Sequence, residues 1–449
     1  MDTSLQNGAC ATVPLCTCEN NDLLALGASL DLSLSFQDLF LIREHYRKKE
    51  KRDPLTSELK LLQAILRSAR ALPQNTILYD LDCEEADRRV FADLQKKAAL
   101  LGKNASELSL ADLAALTANY ATHCGLSPRN TALYATDAAS AAVLPPCTEA
   151  PLIIGEHGAL FAHRCTQKKS KHVQNLLLLL RNDGSEDFSK KVNRFLRAAE
   201  PFGVHLIKRI GAEGLPADLP LPPQGLTLDL APVHADVDTA LETLEGFGVG
   251  DVLLKAPERH LHEIVALGAP LVAIGRITTD ERISVFHGRR LLFSFSTALL
   301  ALLDLHRKIK PEVLHAPAVC FDALYARGLS AITLSGDCLT MLCEWLCRAV
   351  ASGADLHSAS LCTLLTLPDC GKETVSAILP ALLAFHRMAS ELALPVATAN
   401  VSLCQDATPK LTVFLHTEAT VRTPTITEAE LQTAIDKADF AHLRSLLRK

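Results

Sequence analysis

An α/β protein is predicted, with a helical N-terminal region ahead of alternating helices and strands. Three stretches predict it. Over 35–72 apolar residues recur at helical spacing, and over 189–310 helix-like and strand-like segments alternate. Residues 371–418 then read as a long apolar helix, a turn at Leu394-Pro395, a small-residue strand, a polar loop at Gln405-Asp406 and a second strand.

The 449 residues suffice for two or three domains with cores of their own. At 48% hydrophobic, 21% charged and 5% aromatic, those cores are aliphatic. A net charge of -6 argues against a general nucleic-acid footprint. There are 21 glycines, below the usual share of about 7%. Enzymes that cradle phosphates on backbone amides concentrate glycine in loops, and the sequence has no P-loop and no Gly-x-Ser-x-Gly elbow. The 14 cysteines are scattered through helices and apolar runs. The start, MDTSLQNGACATVPLCTCENND, lacks a basic region followed by an apolar core, so a reducing cytoplasm and free, buried thiols are expected. The apolar runs at 176–180 and 297–305 are too short to span a bilayer, and no membrane partner is expected.

In chain order, Cys10, Cys16 and Cys18 sit in a polar stretch without zinc spacing, read as a loosely ordered or edge-strand N-terminus. FQDLFLIREHYRKKEKRDP places Phe36, Leu39, Phe40 and Tyr46 on one side of a helix that Pro54 ends. His45 is read there as a surface histidine. TSELKLLQAILRSARAL gives the next helix, with Thr56 or Ser57 as its N-cap. Two more helices follow over 86–125, and PLIIGEHGALFAHRC (151–165) reads as a two-stranded hairpin. The basic run at 166–172 is expected to be a solvated loop.

Further on, GFGVGD (246–251) follows a helix and precedes a strand, the reverse of a dinucleotide-binding turn. His260 and His262, two apart, face different ways on a helix and read as exposed residues, not a metal pair. Residues 269–295 read as three strands. DCLTMLCEWLCRAVASG (337–353) is a helix buried on most of its surface, with a polar stripe of Thr340, Glu344 and Arg348, and Gly353 closing it. Cys343 and Cys347 read as core thiols. Pro380 should kink the following helix or mark its first turn.

Chemical potential is concentrated in PVATANVSLCQD (395–406). Asn400, Ser402, Gln405 and Asp406 put two amides, a hydroxyl and a carboxylate within seven residues at a strand end, where α/β proteins commonly gather ligand groups. From residue types alone an ordinary polar turn is the simpler reading.

ELALPVATANVSLCQD resembles the second-half motif of the phosphoribosylformylglycinamidine synthase family, ATP-dependent amidine-forming enzymes of purine biosynthesis. Asn400, Val401, Ser402 and Leu403 match one branch, and Asp406 stands near the family's metal-binding acid. Thr398 and Ala399 occupy the positions of two family glycines. A second likeness is to the linker region of large single-chain members: Arg52, Asp53, Pro54, Glu58 and Leu59 match, while Ala69 and Arg70 stand where the family has His-Cys. LSLADLAALTANY resembles the helix leading into the family's first synthetase domain. After the hairpin, the basic run replaces the family's Lys-x-Glu-Thr-His-Asn-His-Pro segment. Residues 269–295, with Gly275 and the His287-Gly288 turn, are similar to the end of a family C-terminal subdomain.

The resemblance implies an α/β (α+β) fold: an N-terminal segment and helical linker over 1–130, a degenerate first aminoimidazole-ribonucleotide-synthetase-like domain over 131–310, and part of a second over 311–449. It implies ATP or ADP with Mg2+, held by Asn400 and Ser402 on the nucleotide and Asp406 on the metal. Three readings stay open. One is a ligase supplied with ammonia or a glutaminase partner from elsewhere. Another is a non-catalytic relative that keeps the scaffold and one nucleotide site. The third is an interaction subunit without a ligand, working with a protein partner or as a homo-oligomer.

Overall fold

The computed structural model describes residues 11–125, 133–136, 139–142, 152–155, 158–161, 175–185, 187–210, 214–215, 225–242, 248, 250–313, 319–325, 329–336, 338–352, 354, 356, 359–403, 408–417, 428–437 and 439–447. Cys10, the basic run at 166–172, Gly353, Gln405 and Asp406 lie outside them. The chain forms two compact units, each built from two separate stretches: Met1–Arg70 with Gln167–Leu305, and Ala71–Thr166 with His306–Lys449. Helices and sheets are mixed in both, the α/β class read from the sequence.

In the first unit, helix α1 (Phe36–His45) starts at a reciprocal cap: the Asp38 backbone N–H donates to the Ser35 hydroxyl, and the Ser35 backbone N–H donates to the Asp38 carboxylate. The helix then widens into a π-turn at Tyr46–Glu50, closed by the Lys51 N–H donating to the Tyr46 carbonyl at 2.6 Å. That widening corrects the surface reading of His45. Residues five apart stack in a π-turn, so Glu50 comes beneath His45, and both side chains are buried 3.4 Å from each other. Phe36 is exposed and stacks on Phe40, while Leu39 and Tyr46 enter the core.

Helix α2 (Thr56–Ala71) is not capped by Thr56 or Ser57 as expected. The Glu58 carboxylate reaches back to the Leu55 N–H at 2.8 Å, and the Thr56 hydroxyl and N–H both go to the Ala11 carbonyl. Ala11 and its neighbours thus form a short antiparallel bridge, Thr12 to Leu55.

The sheet of this unit has seven strands: β1 (Asn175–Leu180), β2 (His205–Arg209), β3 (Gly225–Asp229), β4 (Val252–Pro257), β5 (Leu271–Thr278), β6 (Arg282–His287) and β7 (Arg290–Ser296). Their order is β7-β6-β3-β5-β1-β4-β2, with only β3 and β6 parallel among neighbours. The five leucines of β1 explain themselves here. Leu177 and Leu179 join the core beneath α1 and α2, and Leu176, Leu178 and Leu180 join a second core with helix Phe188–Ala199. Each contributes roughly 1.5–3 kcal/mol on burial. Gly275 is required on β5, because a Cβ there would lie 2.1 Å from the Thr227 carbonyl oxygen of β3.

The second unit contains α3 (Glu85–Leu100), α4 (Leu110–His123), β8 (Val319–Tyr325), β9 (Leu329–Ser335), α5 (Leu339–Ala351), β10 (Ser360–Leu367), α6 (Lys372–Glu391), β11 (Val396–Leu403) and β12 (Lys410–His416). The five strands lie in the order β8-β9-β12-β10-β11. Only β10 and β11 are parallel neighbours, and α6 makes the crossover between them. Pro380 sits inside α6 and removes the N–H that would bond the Ser376 carbonyl, yet the helix runs through it. Helix α5 turns Thr340 and Arg348 to solvent and half-buries Glu344 between them, as expected of its polar stripe. Its Trp345 is buried, with the indole N–H donating to Ser330 Oγ at 2.8 Å. A small sheet sets Thr76–Leu78 between Arg307–Ile309 and Leu108–Ser109. Leu133–Thr136, Ala139–Ala142, Leu152–Gly155 and Gly158–Phe161 form an antiparallel meander, whose last pair is the hairpin expected over 151–165. Among the described residues no helix is long and apolar enough to cross a membrane.

Candidate functional site

Strand β11 carries Asn400 and Ser402, and its register against β10 decides what they face. Leu361 pairs with Val396, the register slips by one, and then Cys362, Leu364 and Thr366 stand opposite Thr398, Asn400 and Ser402. Leu365, Leu367, Ala399, Val401 and Leu403 pack into the core against the helices. The side chains at 362, 364, 366, 398, 400 and 402 therefore lie on the other face of the sheet. Phe414, Thr412 and Lys410 of β12 continue that face on the far side of β10.

This face mixes polar with apolar side chains and is largely buried. Thr366, Thr398, Ser402 and Thr412 are buried, and Asn400 is half-buried. Asn400 Oδ1 accepts from the Val401 backbone N–H at 2.9 Å, which fixes the amide. Its Nδ2, Thr366 Oγ1 and Thr398 Oγ1 have no hydrogen-bond partner among the described residues and are shut off from solvent. A buried polar group left without any partner costs about 1–3 kcal/mol. The donors suit a ligand oxygen, but no solvent path reaches them. Opposite Thr398 stands the Cys362 thiol, whose pKa burial pushes up to about 12. Close approach, which a phosphate cradle requires, is obstructed at this position by the buried Thr398 side chain. Asp406, the metal acid that the resemblance implies, lies outside the described residues.

The linker residues are engaged structurally. Ala69 is buried. Arg70 forks onto Asp38 with bonds of 2.7 and 3.0 Å and donates twice more to the Asp304 carbonyl at 2.8 and 2.9 Å. Burial alone would raise the Asp38 pKa, but the Arg70 and Ser35 hydrogen bonds outweigh it and hold the carboxyl below its ordinary range. The matched motif residues are likewise structural. Arg52 bonds Glu58 bidentately at 2.7 and 2.5 Å and the Ser294 carbonyl at 2.8 Å. Asp53 accepts the Cys16 N–H at 2.8 Å, and Leu59 is wholly buried. Glu50 joins the same network, accepting from Arg282 and from the Ser296 N–H, both at 2.9 Å.

One buried polar pair had no signal in the sequence. His386 of α6 is enclosed, with Nδ1 2.6 Å from Thr117 Oγ1 of α4 and Nε2 without a partner among the described residues. A histidine within an apolar helix reads as one more core position, and its partner is 269 residues away.

No family model matches the chain, and no curated protein does. Among solved structures it is similar to PurLQS from Thermotoga maritima, at 13% identity and a TM-score of 0.37 over 64% of this chain and 63% of that one. It is similar to phosphoribosylformylglycinamidine synthase II from Thermotoga maritima at 13% identity and a TM-score of 0.38, over 65% and 63%. It is also similar to Thermotoga maritima PurL complexed with ATP, at 10% identity and a TM-score of 0.37, over 89% and 83%. The matched region thus spans about 63% of the length of the first two of these chains.

Proposed function

We propose that this chain is a phosphoribosylformylglycinamidine synthase-like protein of purine biosynthesis that has lost the amidine-forming chemistry and works as a scaffold. The observation that carries the reading is Arg70. The motif likeness puts it where the family has a His-Cys pair, and among the described residues its bonds go to Asp38 and Asp304. A guanidinium stays protonated and cannot serve as a general base, and Ala69 beside it has no functional group. Thr398 supports the same conclusion from the other unit, since its buried side chain fills the strand where the resembling family keeps glycine.

The reading is of a frame kept and a site closed. Matched residues Arg52, Asp53, Glu58 and Leu59 hold helices and the N-terminal segment together, which is reason enough for their presence without catalysis. Nucleotide binding is the direct test. With ADP or ATP and Mg2+ at about 1 mM, the unfolding temperature should not move, because a ligand at its Kd already adds a measurable increment. A magnesium-dependent upward shift that Asn400→Ala abolishes would show an open site on β11.

A further inference from the structure

Between α3 and α6 of the second unit lies a pocket of about 300 Å3. It owes nothing to the residues of β11. Ala86, Val90 and Leu94 line one wall, four residues apart on a single face of α3. The other wall is α6, where His386 forms an enclosed floor and Arg387, Ser390 and Glu391 follow it.

The charges around this pocket divide into paired and unpaired. Arg89 pairs with Glu85 at 3.2 Å. Lys97 pairs with Asp93 at 2.7 Å and donates to Ser390 Oγ at 2.5 Å, which leaves the serine proton available to an acceptor. Arg387 and Glu391 remain. The Arg387 guanidinium lies 5.3 Å over the Phe440 ring and meets no carboxylate among the described residues. Glu391 meets no cation among them. Four apart on one helix face, the two both line the pocket without an ion pair to each other. At the floor, Thr117 holds one nitrogen of the His386 ring, and the other nitrogen has no hydrogen-bond partner among the described residues.

We propose that this pocket binds a small zwitterion of the α-amino-acid class with an aliphatic side chain. The carboxylate sits on Arg387 and Ser390, the ammonium on Glu391, and the side chain lies along Val90 and Leu94. Volume restricts the ligand, since the pocket is at the lower limit of small-molecule sites. A nucleotide would need more cationic groups than one free arginine, and a fatty acid would leave Glu391 facing apolar chain.

The test is calorimetric titration of the full chain with L-leucine, beside 4-methylpentanoate and isopentylamine, which each carry one charged end. The expected result is leucine binding at a Kd of roughly 1 mM and at least ~10-fold weaker binding of either one-ended probe. Arg387→Met and Glu391→Gln should each weaken leucine binding about 10-fold or more. Glu391 is exposed, so its variant keeps the native fold even if loss of the Phe440 contact disturbs the other. No heat from leucine at ~20 mM would overturn the proposal, since that is far above the expected Kd. Equal binding of leucine and 4-methylpentanoate, or leucine binding unchanged in both variants, would overturn it too.

Discussion

The Arg70 guanidinium forks onto the Asp38 carboxylate at 2.7 and 3.0 Å, joining the end of α2 to the first turn of α1. Asp38 is buried and Arg70 only a quarter exposed, so the pair is shielded from screening. Arg70→Ala should therefore destabilise the protein by about 3 kcal/mol, the cost of leaving a buried carboxylate without its partner. Urea unfolding of the variant measures it. A loss below about 0.5 kcal/mol would mean that the bond contributes as little as an exposed ion pair.

The same pair sets an acid limit. The folded pKa of Asp38 is lowered below its unfolded value, so its contribution is present above the ordinary carboxylate range and is lost as pH falls through the folded pKa. In Arg70→Ala that depression goes, and acid unfolding should begin at higher pH than in the parent. Circular dichroism followed from pH 7 to about pH 2 would show it.

His386 predicts a second acid effect of the other kind. Desolvation lowers its pKa to about 3, so the ring is neutral in the fold and protonates far more readily when unfolded. Between the unfolded value of about 6.5 and the folded one, the unfolded state holds the extra proton, and stability drops as pH is lowered, by at most ~1.4 kcal/mol per unit. His386→Gln should flatten that slope between pH 6 and 4. An unchanged slope would assign the acid sensitivity to other groups.

Much of this architecture was legible because local patterns sufficed. The run at 176–180, read only as too short to span a bilayer, proves to be a strand buried on both faces, which periodicity does not tell from a piece of buried helix. The helix and the two strands within 371–418 follow from apolar periodicity broken at Pro395. His45 was misread because helical spacing at 3.6 residues does not bring Glu50 to it, whereas a π-turn does. Arg70 gave no warning of its role, since its partners lie 32 and 234 residues away. On β11, the residue types at Asn400 and Ser402 were informative, but which face they share and how far Thr398 closes it depend on a register slip against β10.

Thr398→Val tests that closure. The hydroxyl has no partner among the described residues, so an apolar side chain of the same shape should leave stability unchanged or raise it by up to about 1 kcal/mol. Thr366→Val should behave alike. A loss of more than about 1 kcal/mol in either would mean that an ordered water or ligand satisfies the hydroxyl.

The thiols should be inert. Cys343, Cys347, Cys362 and Cys370 are buried, and burial pushes each to about 12, far from the thiolate that reacts. Titration with a thiol reagent in native buffer should leave these four, and buried Cys338, unmodified until the chain is unfolded. Rapid labelling of Cys343 or Cys347 would indicate that α5 opens in the native state.

The most direct measurement is turnover by the purified chain given formylglycinamide ribonucleotide, ATP, Mg2+ and excess ammonia, with product and released phosphate both followed. Supplying ammonia removes any dependence on a glutaminase. The account predicts no amidine product and no phosphate release above the substrate-free control. Formyl-amide-dependent release of phosphate, matched by amidine formation, would contradict it and make Arg70 and Thr398 compatible with catalysis.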